Sequence, residues 1–249
     1  QEPSQPLALY IAGWLEVQHP RDRLDDGIAH LQRVAALEVN WPTARAAYGV
    51  GIRRKARAAS GEERQRLFLQ AEGVLKEALS QSPRLMDFEG ESFWGPVGGI
   101  LRELGQIDGA IQAYEQAVAV TPGSSYPWGN LANLYLMKAN ATQDPQWQER
   151  ALLAFENTLE TAHAELATNP NNFYLLMDVA QATTMLSQRD PARQEGARRA
   201  LAEALATEVS LNSLETSRRG RQHRGGRGSG PGRDCRCRSG LHGCRFDLH

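Results

Sequence analysis

The sequence predicts an all-α protein, a solenoid of about five helix–turn–helix hairpins running from Leu7 to about Val209. Two observations carry this. The first is a pattern of helical period, Trp94-x2-Val97-Gly98-x2-Leu101, then Ala110-x3-Tyr114-x2-Ala117, closed by Pro122. Residues three and four apart share a helix face, so Trp94 and Leu101 flank Gly98, and Ala110 and Tyr114 lie one turn apart. Gly98 is small where two helix backbones approach closely. Gly105-Gln106 falls between the helices, and Pro122-Gly123 stops the second one. The second observation is that another copy begins at once, Trp128-Gly129-Asn130-Leu131-Ala132-Asn133-Leu134-Tyr135. Self-similarity at a fixed spacing marks a repeat architecture.

This spacing, a large–aliphatic–small–large first helix and a small–aromatic–small second one, resembles the tetratricopeptide repeat. The resemblance implies a right-handed superhelix whose first helices line a concave face. It also implies a non-enzymatic protein–protein interaction scaffold that takes an extended peptide or protein segment in that groove.

Five repeats are expected within an array spanning 1–216. The first, 7–40, is degenerate: Ala8-x2-Ile11-Ala12-x2-Leu15 puts Ala12 at the crossing, and Gly27-x3-Leu31-x2-Val34 follows. The second, 42–85, has Tyr48-Gly49-x2-Ile52 and Ala71-x3-Leu75-x2-Ala78, with Pro83 as terminator. The intervening residues are charged and helix-forming, which predicts longer helices around a turn at Ser60-Gly61. Met86 to Gly90 is a short connector into the third repeat, 91–124.

The fourth and fifth repeats, 125–168 and 171–209, share an offset of 46 residues: Trp128 with Tyr174, Leu131 with Met177, Ala151 with Ala197, Phe155 with Leu201. Asp144-Pro145 and Asp190-Pro191 obey it too, each placed to cap a helix and open its first turn. The added length in both units is therefore expected to be regular helix. In this register Asp178 falls at the crossing occupied by Gly98 and Ala132, where a carboxylate is poorly tolerated. Loose packing of the fifth repeat, or a capping role, is the expectation.

Charge divides the chain. Residues 217–249 hold nine Arg against two Asp, a net of +7, which leaves 19 basic against 27 acidic residues, a net of −8, in 1–216. All three cysteines lie in that tail, so the array needs no disulfide. Arg218 to Gly243 is Arg, Gly and Ser with too little apolar surface to fold, and disorder is expected there. Three readings compete for the tail: a zinc site at Cys235, Cys237, His242 and Cys244 with one residue too few in its first pair; an RNA-binding segment at Arg224-Gly225-Gly226-Arg227 lacking interleaved aromatics; and a stretch that is not native sequence, translated out of frame. No apolar run approaches the ~20 residues of a membrane span. The chain begins at Gln1, so a processed form or a fragment is expected. Membrane attachment would come only through upstream sequence, and the localisation is cytoplasmic or that of a soluble domain of a membrane-attached protein.

By register, the concave candidates are Arg53 and Arg54 on the second repeat and Arg102 on the third. Tyr126, Asn130, Asn133 and Met137 follow on the fourth. Asn both donates to and accepts from a peptide backbone, and Arg holds carboxylates bidentately. The bland reading of the same residues is a solvated face on a repeat rich in Asn. Trp94 and Trp128 are accounted for by the repeat core, and Trp14, Trp41 and Trp147 by packing near helix junctions. His19, His30 and His163 lack metal-ligand spacing, Gly98-Gly99 follows no strand and is no phosphate loop, and no nucleophile–base pairing emerges. No catalytic residue, metal or cofactor is expected, and no nucleic acid for the folded region. An alternative to partner binding is a structural spacer or oligomerisation module, a fragment of a larger membrane-anchored bacterial protein, with homo-oligomers as its product.

Overall fold

In the computed structural model the described residues are 5–19, 22–37 and 40–207. They form α1 (Pro6–Gln18), α2 (Leu24–Leu37), α3 (Pro42–Ala58), α4 (Gly61–Gln81), α5 (Trp94–Glu103), α6 (Ile107–Val120), α7 (Ser125–Thr142), α8 (Pro145–Leu166) and α9 (Phe173–Ser187). A 3-10 turn, Pro191–Arg193, leads into α10 over 194–207. The chain divides into two units, Gln1–Glu208 and Val209–His249. The second unit, and with it the readings of the tail and of Cys235, Cys237, His242 and Cys244, lies outside the described residues. Among those residues the fold is helical hairpins, with one isolated bridge between Met86 and Ser92 and no strand.

Local chemistry explains where the helices begin and end. Pro6, Pro42 and Pro145 open α1, α3 and α8, where a missing N–H costs nothing. The Asp144 carboxylate caps α8 by accepting from the Gln146 N–H at 2.9 Å, and Asn172 caps α9 through the N–H groups of Tyr174 and Leu175. The turn predicted at Ser60-Gly61 is there, with Gly61 at φ +57. The added length of the fourth repeat is regular helix, 18 residues in α7 and 22 in α8 against 10 and 14 in α5 and α6.

Each helix packs mainly on its sequence neighbours, giving the hairpins α1/α2, α3/α4, α5/α6, α7/α8 and α9/α10. Gly98 is required at its crossing: a Cβ there would lie 2.7 Å from the Tyr114 ring. Gly49 meets Leu75 in the same way at 2.8 Å. Trp94 and Trp128 belong to the core margin, and each indole Nε1 donates to the carbonyl of the proline closing the preceding repeat, Pro83 at 2.8 Å and Pro122 at 3.0 Å.

Two registers differ from expectation. In α1 the crossing residue is Gly13, not Ala12. A Cβ on Gly13 would lie 2.9 Å from the Gly27 carbonyl, while Ile11 and Leu15 are exposed. Almost every face of α1 is apolar, so its periodicity favours no single register. In α9 the crossing residue is Ala180, buried with Val179 against Ala162 and Ala200. The first helices of the last two repeats are therefore offset by 48, pairing Ala132 with Ala180, whereas the second helices keep 46, pairing Ala154 with Ala200. Tyr174, matched to Trp128 on sequence, is 79% exposed.

Asp178 is thus not wedged at a crossing. It faces α7, accepting from the Ser125 hydroxyl at 3.1 Å, while Glu165 accepts from the Ser125 N–H at 2.8 Å. Burial, with Glu165 close by, pushes the Asp178 carboxyl up to about 6.

One contact joins elements that are not neighbours in the array. The connector 82–93 is shaped by the Asp87 carboxylate, which accepts from the N–H groups of Glu89 and Glu91, both at 2.9 Å, and by Gly90 at φ +83. Its Phe88 ring lies 5.1 Å from Tyr10 of α1, and Phe93 sits edge-on to Trp14 at 6.2 Å. Trp41 completes the aromatic group, 4.8 Å from Tyr10.

Candidate functional site

Odd-numbered helices also touch one another directly, α1 with α3, α3 with α5 and α7 with α9, while direct contacts of α2 with α4, α4 with α6 and α6 with α8 are at most marginal. A layer whose members approach more closely lies on the shorter arc of a curved stack. The odd helices therefore line the concave side. The curvature brings the Tyr174 phenol of α9 close enough to Arg54 of α3 to interact with its charge.

The residues selected by register occupy this layer with unequal freedom. Arg54 is held against α1, donating to the Gln18 carbonyl at 3.0 Å and to its side-chain oxygen at 2.8 Å. Asn130 bridges α5 and α7: its oxygen accepts from Arg102 at 3.1 Å and its amide donates to the Tyr126 carbonyl at 2.8 Å. Asn133 bridges α7 and α9 through Gln181 at 2.9 Å and donates to the Gly129 carbonyl at 2.9 Å. Both Asn side chains thus tie adjacent repeats, with one N–H of each left over. Tyr126 packs over Gly95, where a Cβ would lie 2.8 Å from its ring, and edge-on to Tyr114 at 6.2 Å. Met137 is exposed.

Arg53 stands apart. It is only 9% exposed, and its Nε meets no acceptor among the described residues. Its guanidinium lies over Gly99, where a Cβ would come within 2.6 Å of Nη2. Sequence reasoning missed Arg57, one turn further along α3, and Tyr174. The signal for Arg57 was the extra length of the second repeat, which carries the arginine row past the end of an ideal unit. Burial, then the charge of Arg53, lowers the pKa of both Arg54 and Arg57.

Other sequence candidates fall away from this face. Trp147 packs on Tyr135 at 5.6 Å, with Lys138 and Arg150 over its ring. His30 contacts Glu16 at 2.9 Å. Among the described residues no group of three or more His, Cys, Asp or Glu is placed to hold a metal ion, and no helix is long and apolar enough to cross a membrane.

A family model described as a TPR repeat matches residues 98–138, from the crossing glycine of the third repeat to the last third of α7. That match falls on the hairpin geometry already described. Residues 98–138 carry a tetratricopeptide repeat, and the described helices adopt the tetratricopeptide-repeat fold. Its fold is similar to TTC0263, a thermophilic TPR protein of Thermus thermophilus, at 20% identity and TM-score 0.54, over 73% of this chain and 82% of that one. It is similar also to PilF of Pseudomonas aeruginosa, at 18% identity and TM-score 0.56, over 86% of this chain and 85% of that one. MamA of Desulfovibrio magneticus RS-1 aligns at 15% identity and TM-score 0.50, over 83% of this chain and 97% of that one. No curated protein matches the chain. At these identities the structural likenesses speak for the tetratricopeptide fold.

Proposed function

We propose that this chain is a non-enzymatic scaffold that binds an extended segment of a protein partner in its concave groove, between α3 and α9. The observation that carries the reading is the surface composition of the odd-helix layer. It combines a cation without an ion pair (Arg53) with exposed Tyr126, Met137 and Tyr174, and with Asn130 and Asn133, each keeping one amide donor. Aromatic and Met side chains supply contact area, and the amides can pair with a peptide backbone. The test is site-specific photo-cross-linking in the native host. A photoreactive residue at Met137 or Tyr174 is expected to capture a discrete partner that the same residue at Leu69, exposed on α4, does not. Equal capture from both positions, or none from the groove, overturns the reading.

A further inference from the structure

We propose that a cavity between α4, α5 and α6, outside the groove, binds an aromatic side chain of a protein partner. The cavity measures about 310 Å³ and opens between α4 and α6, whose direct contact is at most marginal. Its apolar floor is Trp94, Val97 and Leu101 of α5. Gly109 of α6 forms one wall, and the exposed Gln112 and Gln116 stand at the rim.

The array holds its own template for what fills such a space. Buried positions match α6 to α8, Ala110 with Ala151, Ala113 with Ala154 and Tyr114 with Phe155, and α5 to α7, Val97 with Leu131 and Gly98 with Ala132. In that register Leu101 corresponds to Tyr135, and Gly109 to Arg150. Lys76 corresponds to Glu115, because Ala71, Leu75 and Ala78 of α4 match Ala110, Tyr114 and Ala117 of α6. At the later joint the chain fills the space itself. The Tyr135 phenol donates to Glu115 at 2.7 Å, and the Arg150 guanidinium lies 5.7 Å from the centre of the Tyr135 ring. At the earlier joint the shorter Leu101 and the bare Gly109 leave that volume open.

Two planar groups are therefore missing, a ring and a guanidinium, and charge chooses between them. Arg150 faces the Glu115 carboxylate at 3.8 Å, whereas the counterpart at the open joint is Lys76, which repels a guanidinium. Glu115 also borders the cavity, but its Oε1 is the atom engaged by Tyr135 and Arg150. An anion is disfavoured by Glu115 and by Glu72, which holds Lys76 at 2.6 Å. A ring needs neither charge. It buries its faces on Trp94, Val97 and Leu101, and Gly109 leaves room for its edge. The Gln112 and Gln116 side chains meet no partner among the described residues, so their amides are available to the peptide backbone that carries the ring.

The indole Nε1–H of Trp94, which donates to the Pro83 carbonyl at 2.8 Å, is a built-in reporter. Heteronuclear NMR of the full chain, titrated with acetyl-Gly-Gly-Tyr-Gly-Gly amide, is expected to shift the Trp94 indole signal saturably. The signals of Trp14, Trp41, Trp128 and Trp147 should stay in place. The same peptide with Leu for Tyr should bind about fivefold more weakly, the worth of an aromatic pair, and with Arg more weakly still. Gly109→Arg installs the residue used at the later joint. It should abolish the shift while the melting temperature holds or rises, because a glycine in a helix gives way to a better helix former. Gly73→Arg, on the exposed side of α4, should leave binding intact. Gln112→Phe, which places a ring on the rim, is a second filling variant and should block the peptide even if Gly109→Arg lowers the melt. No shift at Trp94, equal shifts of all the indoles, a Trp94 shift that survives both filling variants, or tighter binding of the Arg peptide overturns the proposal. Cross-linking from Met137 should be unaffected by Gly109→Arg, so the cavity and the groove stand or fall separately.

Discussion

Asp178 shows how much a single carboxyl can be misjudged by spacing alone. Its aromatic neighbour Tyr174 aligns with Trp128 at an offset of 46, and that alignment places the carboxylate in a helix crossing. The true offset of 48 is invisible until the burial of Ala180 and the exposure of Tyr174 are known. By contrast Gly98 and Tyr114 were legible, because only a glycine tolerates a ring at that distance. The carboxyl of Asp178 ionises near 3.8 when unfolded and at about 6 when folded. As pH rises between those values the unfolded chain releases its proton first, so stability falls, and the loss is complete above the folded value. Asp178→Asn keeps an acceptor for the Ser125 hydroxyl and removes the ionisation. Thermal melts should show the variant more stable than the parent at pH 7 and nearly equal to it at pH 4. An unchanged melting temperature at pH 7 would mean that the Asp178 carboxylate is better solvated than its surroundings indicate.

At the level of elements, most helix ends could be read and one register could not. Ser60-Gly61, Asp144-Pro145 and the connector at Met86 to Gly90 announce themselves by turn and cap chemistry, which is local and needs no tertiary context. The register of α1 does need that context, since Leu7, Ile11 and Leu15 form as plausible an apolar stripe as Leu9, Gly13 and Val17. The groove was legible in part for a similar reason. Repeat spacing finds Arg53, Arg102 and Tyr126, but Arg57 comes from an extension of α3 that no ideal unit contains. The Asn side chains that register alone leaves free for a ligand are already bonded across repeats. Cap chemistry can be checked directly. Asp144→Ala should cost about 0.5–2 kcal/mol, the usual worth of a lost N-cap, measured by urea unfolding. The loss should come with no change in the helix content of the folded protein.

Across the whole molecule, nearest-neighbour packing accounts for all but one region. Stacked hairpins couple mainly to the hairpin before and after, and the core runs through the array from Leu9 to Leu186 accordingly. At its far end Leu201 is 44% exposed where Phe155, its counterpart one repeat earlier, is 1% exposed. The exception is the aromatic group in which the connector between the second and third hairpins reaches back to the first. Phe88→Ala removes a ring that is itself largely in solvent, so little besides that contact is lost. The expected cost is about 0.5–1.5 kcal/mol, the range for an aromatic pair. Native-state hydrogen exchange should become faster in α1 than in α8. Unchanged protection of α1 would mean that the ring contact does not couple the two regions.

That aromatic clasp changes what kind of object the repeat array is. An array of tiles can be trimmed, lengthened or grafted at any joint, because each joint resembles the next. Here a cut before Pro42 would strip Tyr10 and Trp14 from the rings of Phe88 and Phe93, leaving an apolar scar on the second and third tiles as well as an open joint. The first three hairpins would therefore have to be transplanted as one block, whereas the joints beyond α6 remain places where an engineer can add and remove units one at a time.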